Sequence, residues 1–487
     1  MTVTADTLSR HGQLANFVGG RAAATTGETA EVFDPSDGSV IARVPLSGAR
    51  EVDAAVEAAT RALPGWAATP IKERVQVLYR YRALIEREAE TLARLIVEEN
   101  GKLQGEALAE VLKSIEQTEF ACSLPQIVQG KVLEVSRGVE CRVDRHPVGV
   151  VASITPFNFP MMVPNWTIPN ALALGNCMVL KPSELVPLSA NRIAELLREA
   201  GLPAGVFNVV HGGQAAVAAI CDHPGIAALS FVGSTRVARI VYRRATGQCK
   251  RALALGGAKN HLIVLPDADR DATAINIVAS AAGCAGQRCM AAAVMVAVQG
   301  TDAVIERLVD HARELVPGET LGPIISREAK ERIERWIAEA ENDGARVLVD
   351  GRGATVAGRE GGYWLGLTVL DDVRPDSRIA QEEVFGPVLA IIRAGDLDEA
   401  IAIENRSPYG NAAAIYTETG GLACEVMERA SAGMIGVNIG VPVPREPFSF
   451  GGWNASKFGA GDITGEGSIE FWTQAKKTTV KWSARST

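Results

Sequence analysis

The spacing of apolar residues along the chain divides it into helical, hairpin and strand-rich regions. From 50 to 120 they recur at helical intervals, as at Val52, Val56 and Ala59, which predicts consecutive helices. Between 125 and 146 the period falls to two residues, which predicts a β-hairpin. The last apolar stretch, 469–482, is predicted to be a strand with polar flanks.

After the hairpin, short apolar runs alternate with helical patterns in two series. The first series has predicted strands at 148–154, 177–180, 206–210 and 227–232, with helices at 164–174, at 189–200 and from Thr235. The second series starts near Asn260 and continues to about 440. Buried strands that alternate with helices form parallel sheets through right-handed crossovers. The pattern therefore predicts an α/β protein with two doubly wound parallel sheets, plus a small β element outside both cores.

Composition limits the possible classes of protein. With 487 residues, the chain is too long for one ordinary core. A net charge of −8 disfavours nucleic acid as a partner, and no apolar run reaches the roughly 18 residues that a membrane span needs. The eight cysteines form no CxxC pair, and the six histidines show no metal-ligand spacing. We therefore expect a cytoplasmic protein with reduced, mostly buried thiols and no metal.

The segment Gly233-Ser234-Thr235 follows the predicted strand 227–232 and begins a helix. Glycine permits a tight turn there, and the free N–H groups of a helix start suit a pyrophosphate. The G-x-G-x-x-G fingerprint of dinucleotide sites is absent, and a helix cap is the commoner role of Ser-Thr at such a position. Phosphate binding is therefore one of two interpretations of this segment.

Lys181 and Glu184 follow the predicted strand 177–180. Doubly wound sheets bind ligands at the carboxyl ends of their strands, and a carboxylate there can accept the ribose hydroxyls of a dinucleotide. It would also repel a 2′-phosphate. The alternative interpretation is a surface salt bridge.

Cys289 lies in a connection between a helix and the predicted strand 294–298, after Gly286. Small residues surround it, and the positive charge of Arg288 is expected to favour the thiolate. This position indicates a reactive nucleophile, with a buried inert thiol as the alternative.

Five motifs in this order resemble those of the aldehyde dehydrogenase superfamily, and the resemblance covers nearly the whole chain. They are Thr155-Pro-Phe-Asn158-Phe-Pro, Lys181-Pro-Ser-Glu184, Phe231-Val-Gly-Ser-Thr235, Gly286-Gln-Arg-Cys289 and Glu382-Glu-Val-Phe-Gly-Pro387. The resemblance implies an NAD-binding domain formed by 1–124 and 147–255 and a catalytic domain formed by 256–445. It also implies that the hairpin 125–146 and the tail 446–487 form an oligomerisation element of a homotetramer, a dimer of dimers.

The same resemblance implies a role for each matched residue. Cys289 is expected to attack the aldehyde, and Asn158 to hold the developing oxyanion together with the Cys289 N–H. The expected NAD contacts are Lys181 and Glu184 at the adenosine ribose, Gly233 and Ser234 at the pyrophosphate, and Thr155, Phe157, Glu383 and Phe385 near the nicotinamide and its ribose.

Hydrolytic members of the family carry a Glu-Leu-Gly-Gly segment whose glutamate activates water. The matching stretch here reads Ala254-Leu255-Gly256-Gly257-Ala258-Lys259-Asn260, so Leu255 or Ala254 stands at that position, depending on the anchor. Neither side chain can abstract a proton. Because a thiolate needs no base, coenzyme A is the expected acyl acceptor. In this respect the chain is similar to the CoA-acylating methylmalonate-semialdehyde dehydrogenase branch.

In that branch two arginines are thought to hold the substrate carboxylate. One matches Arg288, but the other position holds Lys113, which keeps the charge without the planar fork of a guanidinium. Leu185 follows Glu184 where the branch has arginine. The expected substrate is therefore a small aldehyde with an anionic group, such as malonate or methylmalonate semialdehyde.

Two other functions remain open at this stage. One is a hydrolytic aldehyde dehydrogenase in which another group, such as Glu383, activates water. The other is a non-catalytic nucleotide-binding scaffold. The loop 442–450, with Phe448 and Phe450, is expected to frame the aldehyde pocket, or else to pack in the core.

Overall fold

The computed structural model describes residues 10–482. The strands, in chain order, are β1 (Asn16–Val18), β2 (Arg21–Ala23), β3 (Thr29–Phe33), β4 (Val40–Pro45), β5 (Lys131–Ser136), β6 (Val139–Pro147), β7 (Val150–Ile154), β8 (Cys177–Lys181), β9 (Phe207–Val209), β10 (Ala228–Val232), β11 (Arg251–Leu255), β12 (Asn260–Val264), β13 (Ala292–Val298), β14 (Arg346–Val349), β15 (Thr368–Asp371), β16 (Val388–Ala394), β17 (Tyr409–Gly410), β18 (Ala412–Tyr416), β19 (Met434–Val437), β20 (Trp453–Asn454), β21 (Lys457–Phe458) and β22 (Thr473–Lys481).

The α-helices, in chain order, are α1 (Ala49–Ala68), α2 (Ile71–Arg87), α3 (Ala89–Asn100), α4 (Gln104–Ile127), α5 (Met162–Ala173), α6 (Leu188–Glu199), α7 (Gln214–Asp222), α8 (Thr235–Gly247), α9 (Arg270–Ala282), α10 (Asp302–Arg313), α11 (Arg327–Asn342), α12 (Arg378–Gln381), α13 (Leu397–Asn405), α14 (Gly420–Arg429) and α15 (Gly467–Trp472). Within residues 10–482, no helix has both the length and the apolar character that crossing a membrane requires.

The first large sheet has the strand order β2-β1-β9-β8-β7-β10-β11-β21. Its inner strands β9, β8, β7, β10 and β11 run parallel to one another, whereas β1 and β21 join them antiparallel. Helices α1, α5, α6 and α8 pack against the inner strands. Every residue of β7 and β8 is buried. Such continuous apolar strands are typical of a sheet that is covered on both faces, which confirms the prediction for this half of the chain.

The second large sheet has the order β14-β15-β16-β13-β12-β18-β19. All its pairs are parallel except the edge pair of β14 and β15. It forms a separate hydrophobic core with the helices that connect its strands. The predicted α/β class with two parallel sheets is confirmed.

A small antiparallel sheet, ordered β22-β6-β5, contains the predicted hairpin. The hairpin begins at Lys131 rather than at 125, because α4 continues to Ile127. The strand predicted for 469–482 is wrong in its first part, where α15 precedes β22. Phe471 and Trp472 of α15 are buried in the core of the first sheet, and this packing outweighs the local strand preference.

The cysteines are less buried than expected. Cys122, Cys177, Cys221 and Cys284 are buried, whereas Cys141 and Cys289 are partly buried and Cys249 and Cys424 are exposed. The expectation of mostly buried thiols therefore holds for only half of them.

Candidate active site

The segment before Cys289 is a left-handed turn. Cys284, Ala285 and Gly286 have φ values of 51°, 53° and 67°, a conformation that residues with a Cβ rarely adopt. A Cβ on Gly286 would lie 2.2 Å from the Gly386 carbonyl oxygen, so only glycine fits against that backbone. The turn ends α9 and aims the chain so that Cys289 lies just before β13.

Two asparagine side chains hold the backbone of Cys289. The Nδ2 atoms of Asn260 and Asn411 each donate to its carbonyl oxygen at 2.9 Å. Asn260 begins β12 and Asn411 precedes β18, and these two strands are neighbours in the second sheet. The nucleophile candidate is therefore anchored to a rigid sheet by residues that the sequence did not single out.

The Cys289 thiol and the Glu383 carboxyl line the same narrow cavity. Burial raises the pKa of Cys289 to about 12, and the negative charge of Glu383 adds to this rise, while Arg288 opposes it. Arg288 therefore favours the thiolate, as expected, but burial and the charge of Glu383 outweigh its effect. Burial also raises the pKa of Glu383 to about 7, although its carboxylate accepts a hydrogen bond from the Ala258 N–H at 2.9 Å.

Asn158 is buried and connected to the cysteine segment. Its Nδ2 donates to the backbone carbonyl of Gln287 at 2.9 Å, two residues before Cys289. A side-chain amide has two N–H donors, so a second one remains for another acceptor. The arrangement places an amide donor and the thiol on segments that are joined directly to each other.

A buried ion pair fixes the segment around Asn158. Lys102 and Glu110 pair with side chains that are 1% and 0% exposed. The Lys102 ammonium also donates to the Asn158 carbonyl at 2.6 Å. The other Glu110 oxygen accepts from the backbone N–H groups of Met161 and Met162 at 2.8 and 3.0 Å. The pair therefore holds the chain at Asn158 and at the two residues that begin three positions later, and it was not predicted from the sequence.

Four of the predicted cofactor residues lie at the carboxyl ends of adjacent strands. Thr155 follows β7, Lys181 ends β8, and Gly233 and Ser234 follow β10; these three strands are neighbours. The Thr155 N–H donates to the Lys181 carbonyl at 3.0 Å. The Lys181 ammonium is 2.9 Å from the Glu184 carboxylate, which is partly exposed. The sheet edge thus collects the groups in the place where doubly wound sheets bind dinucleotides.

The start of α8 fits a pyrophosphate. Ser234 is the N-cap residue, but its side chain is exposed and makes no capping hydrogen bond, so the first N–H groups of the helix stay available. A Cβ on Gly233 would lie 2.6 Å from the Phe231 ring, so any larger residue at this turn would have to displace that ring. These observations favour the phosphate interpretation of the segment over the capping one.

Two of the remaining predicted cofactor residues, Phe157 and Phe385, make a contact between the two halves of the chain. The rings of Phe157 and Phe385 meet edge to face, with centroids 5.7 Å apart. Phe157 lies after a strand of the first sheet, and Phe385 lies before a strand of the second and lines the Cys289 cavity. Leu185, which stands where the similar branch has arginine, is exposed beside Glu184.

Both predicted substrate-binding cations are paired with carboxylates. The Arg288 guanidinium is 3.4 Å from the Glu106 carboxylate. The Lys113 ammonium is 2.9 Å from Glu116 and 2.8 Å from Glu446. Both cations were predicted from the sequence, but their three carboxylate partners were not.

The two phenylalanines of the loop 442–450 differ. Phe450 is buried against Trp166, with ring centroids 4.6 Å apart, which fits the core-packing alternative. Phe448 is 73% exposed. Ala254 and Leu255, at the end of β11, are both buried, so aliphatic groups fill the positions of the family's water-activating glutamate.

Comparison with known proteins identifies the class that this fold and site define. The model of the aldehyde dehydrogenase family matches residues 22–478, and the chain belongs to that family. Malonate-semialdehyde dehydrogenase 2 of Geobacillus kaustophilus is 45% identical over 478 residues, which cover 96% of this chain and 99% of that protein.

Solved structures give the same result. One similar structure is that of a protein of Sinorhizobium meliloti 1021, which is assigned as a methylmalonate-semialdehyde dehydrogenase and was solved in complex with NAD. It matches with a TM-score of 0.95 and 41% identity, over 97% of this chain and 98% of that one. The methylmalonate-semialdehyde dehydrogenase of Oceanimonas doudoroffii matches with a TM-score of 0.95 and 40% identity over 97% and 99% of the two chains.

Proposed function

We propose that this chain oxidises a small carboxylated semialdehyde with NAD through a thioester on Cys289 and passes the acyl group to coenzyme A. The observation that carries the proposal is the cavity that holds the Cys289 thiol, since the Asn158 amide donor is bonded to the cysteine segment. Ala254 and Leu255, which cannot activate water, stand at the position of the hydrolytic glutamate. The relatives named malonate-semialdehyde dehydrogenase support the substrate class, and the neighbour solved with NAD supports the cofactor.

In the proposed reaction, the Cys289 sulfur adds to the aldehyde carbon. The free Asn158 amide N–H and the Cys289 backbone N–H stabilise the oxyanion, and a donor of this kind contributes about 3 kcal/mol to the transition state. NAD, when bound, supplies the hydride acceptor. The acyl group is then held as a thioester until a second thiol displaces the Cys289 sulfur. From malonate semialdehyde the group delivered would be acetyl, because the β-carbonyl stabilises the carbanion left by loss of CO₂.

For NAD, the proposed contacts follow the sheet edge. Lys181 and Glu184 bind the adenosine ribose, and the N–H groups beside Gly233 and Ser234 bind the pyrophosphate. Glu383 binds the nicotinamide ribose. Thr155, Phe157 and Phe385 are proposed to position the nicotinamide ring beside Cys289. The Glu184 carboxylate would also select against a 2′-phosphate.

Hydrolysis is the second candidate, and one observation favours it. Glu383 lines the cavity of Cys289, and burial raises the pKa of its carboxyl to about 7, a value that suits a general base near neutral pH. Against this, the carboxylate already accepts the Ala258 N–H and is the proposed ribose contact. A thiol acceptor needs no base in the site, so CoA remains the favoured acceptor.

The acyl acceptor is tested by following NADH, acyl-CoA and free acid with and without CoA. We expect steady NADH formation to depend on CoA and to produce one acyl-CoA per NADH. Without CoA, turnover should fall by about 10²-fold or more, which is the contribution of a missing general base. Equal rates of free-acid formation with and without CoA would establish the hydrolytic alternative instead.

We further propose that Arg288 and Lys113 bind the carboxylate of the semialdehyde. Arg288 borders the Cys289 cavity, and Lys113 lies two turns along α4 from Glu106, the Arg288 partner. The proposal covers malonate and methylmalonate semialdehyde equally, since both carry the same anionic group.

We propose that the chain acts in the cytoplasm as a homotetramer, a dimer of dimers. Strand β5 is an outer strand of the small sheet, and its Val132, Leu133 and Val135 are exposed. An apolar edge strand of this kind is normally covered in the assembled protein.

We also propose that the chain is divided into three parts. They are an NAD-binding part (1–124 and 147–255), a catalytic part (256–445) and an oligomerisation part (125–146 and 446–487). Strand β21, within the tail, extends the first sheet beyond β11.

A further inference from the structure

An acidic cavity of about 470 Å³ opens between the second half of α4 and the segment 445–447. The described residues that line it include three carboxylates, Glu116, Glu119 and Glu446, and one cation, Arg445. The side chain of Arg445 is 80% exposed and lies 3.7 Å from Glu116. A cavity of this charge disfavours anions, whereas the proposed substrate is an anion.

Lys113 lies at the edge of this acidic group. Its ammonium is 2.8 Å from the Glu446 carboxylate and 2.9 Å from that of Glu116. One positive charge thus faces two negative charges. Arg445 offsets part of the Glu116 charge, so an incoming carboxylate a few ångströms from Lys113 would be repelled mainly by Glu446.

Glu446 is the more firmly placed of the two partners. Its side chain is 14% exposed, against 44% for Glu116, and within residues 10–482 Lys113 is the one cation within 4.0 Å of it. Its loop is anchored four residues further on by Phe450, which packs against Trp166. Because solvent screens a buried charge less than an exposed one, Glu446 has the larger effect on Lys113.

We propose that Glu446 is a specificity-determining residue that occupies Lys113 as an internal carboxylate and so weakens the binding of carboxylated aldehydes relative to neutral ones. The inference rests on the proposed function, which assigns Lys113 to the anionic end of the substrate. A carboxylated aldehyde must then compete with Glu446 for the ammonium group, whereas propanal does not.

The test uses Glu446→Gln, which keeps the size and hydrogen-bonding capacity of the side chain but removes its charge. With propanal as the reporter substrate, NAD and CoA saturating, malonate is titrated as a competitive inhibitor. We expect the inhibition constant of malonate to fall about two- to fivefold, which corresponds to the roughly 0.5–1 kcal/mol at the upper end of the range for solvent-accessible ion pairs. The ratio of kcat/KM for malonate semialdehyde to that for propanal should rise by the same factor.

Two variants serve as matched comparisons. Glu119→Gln removes the same charge from the same cavity, but Glu119 pairs with Arg82 and not with Lys113, so malonate inhibition should change less than twofold. Glu116→Gln should act in the direction of Glu446→Gln but more weakly, because Glu116 is more exposed. An effect of Glu119→Gln as large as that of Glu446→Gln would overturn the proposal in favour of a general field effect.

The decisive comparison repeats Glu446→Gln in a Lys113→Gln background. If Glu446 acts through Lys113, the change in malonate inhibition disappears there. Persistence of the full effect without Lys113 would contradict the proposal, as would an unchanged inhibition constant in the single variant. Failure of the proposed function gives a different result, since the unaltered protein would then form no acyl-CoA from any aldehyde.

Discussion

Cys289→Ala is expected to abolish NADH formation with every aldehyde, a loss of at least about 10⁴-fold in kcat. The covalent route has no substitute in the cavity, because the only other titratable groups among its described lining residues are Arg288 and Glu383. Removing a nucleophile leaves only the residual catalysis of binding and oxyanion stabilisation. Stopped-flow absorbance at the NADH band measures the loss directly.

The control for this variant is Cys249→Ala, which removes an exposed thiol in the connection between α8 and β11. It should form NADH at the rate of the unaltered protein. Residual NADH formation by Cys289→Ala within tenfold of that rate would show that another residue carries the reaction.

Lys102→Met is expected to cost about 3–5 kcal/mol in the free energy of unfolding, because it leaves the Glu110 charge buried without a partner. It also removes the donor to the Asn158 carbonyl, so kcat should fall in the variant that still folds. Urea unfolding followed by circular dichroism measures the first effect, and NADH formation at low temperature measures the second.

The double variant Lys102→Met/Glu110→Met separates pairing from packing. With both charges removed, it should be less destabilised than Lys102→Met alone, although Met161 and Met162 lose their common acceptor. A single variant that loses less than about 1 kcal/mol would contradict the role assigned to the ion pair.

Those parts of the fold that depend on local pattern could be predicted from the sequence. The runs that became β7 and β8 are mostly apolar and too short for a helix, which is typical of a buried parallel strand. Once parallel strands are placed, their carboxyl ends must share one edge. Thr155, Lys181 and Ser234 each end or follow such a strand, so they lie at that shared edge.

The rest depended on contacts between residues distant in the chain. Lys113 and Glu446 are 333 positions apart, and no local pattern links them. Glu110 gave one usable signal, since it shares a helix face with the buried Ala107 and Ser114, where a charged residue requires a partner. The helix α15 was missed for a similar reason, because only the core of the first sheet determines the burial of Trp472.

The pKa of Cys289 shows a further limit of sequence reasoning. The adjacent Arg288 lowers the pKa of the Cys289 thiol, as its charge suggested, but it is also paired with Glu106, and burial and Glu383 raise that pKa more. Burial and a nearby carboxylate both favour the protonated thiol. The charge of a sequence neighbour alone therefore does not predict the electrostatic potential at the Cys289 sulfur.

The thioester on Cys289 is the central claim, and mass spectrometry of the acid-quenched protein and of its peptides tests it most directly. The protein is mixed with NAD and aldehyde without CoA, quenched in acid within one turnover, and digested to locate any adduct. We expect the mass of one acyl group on the Cys289 peptide, removed when CoA is added before the quench. An unmodified Cys289 in protein that is forming NADH would contradict the account.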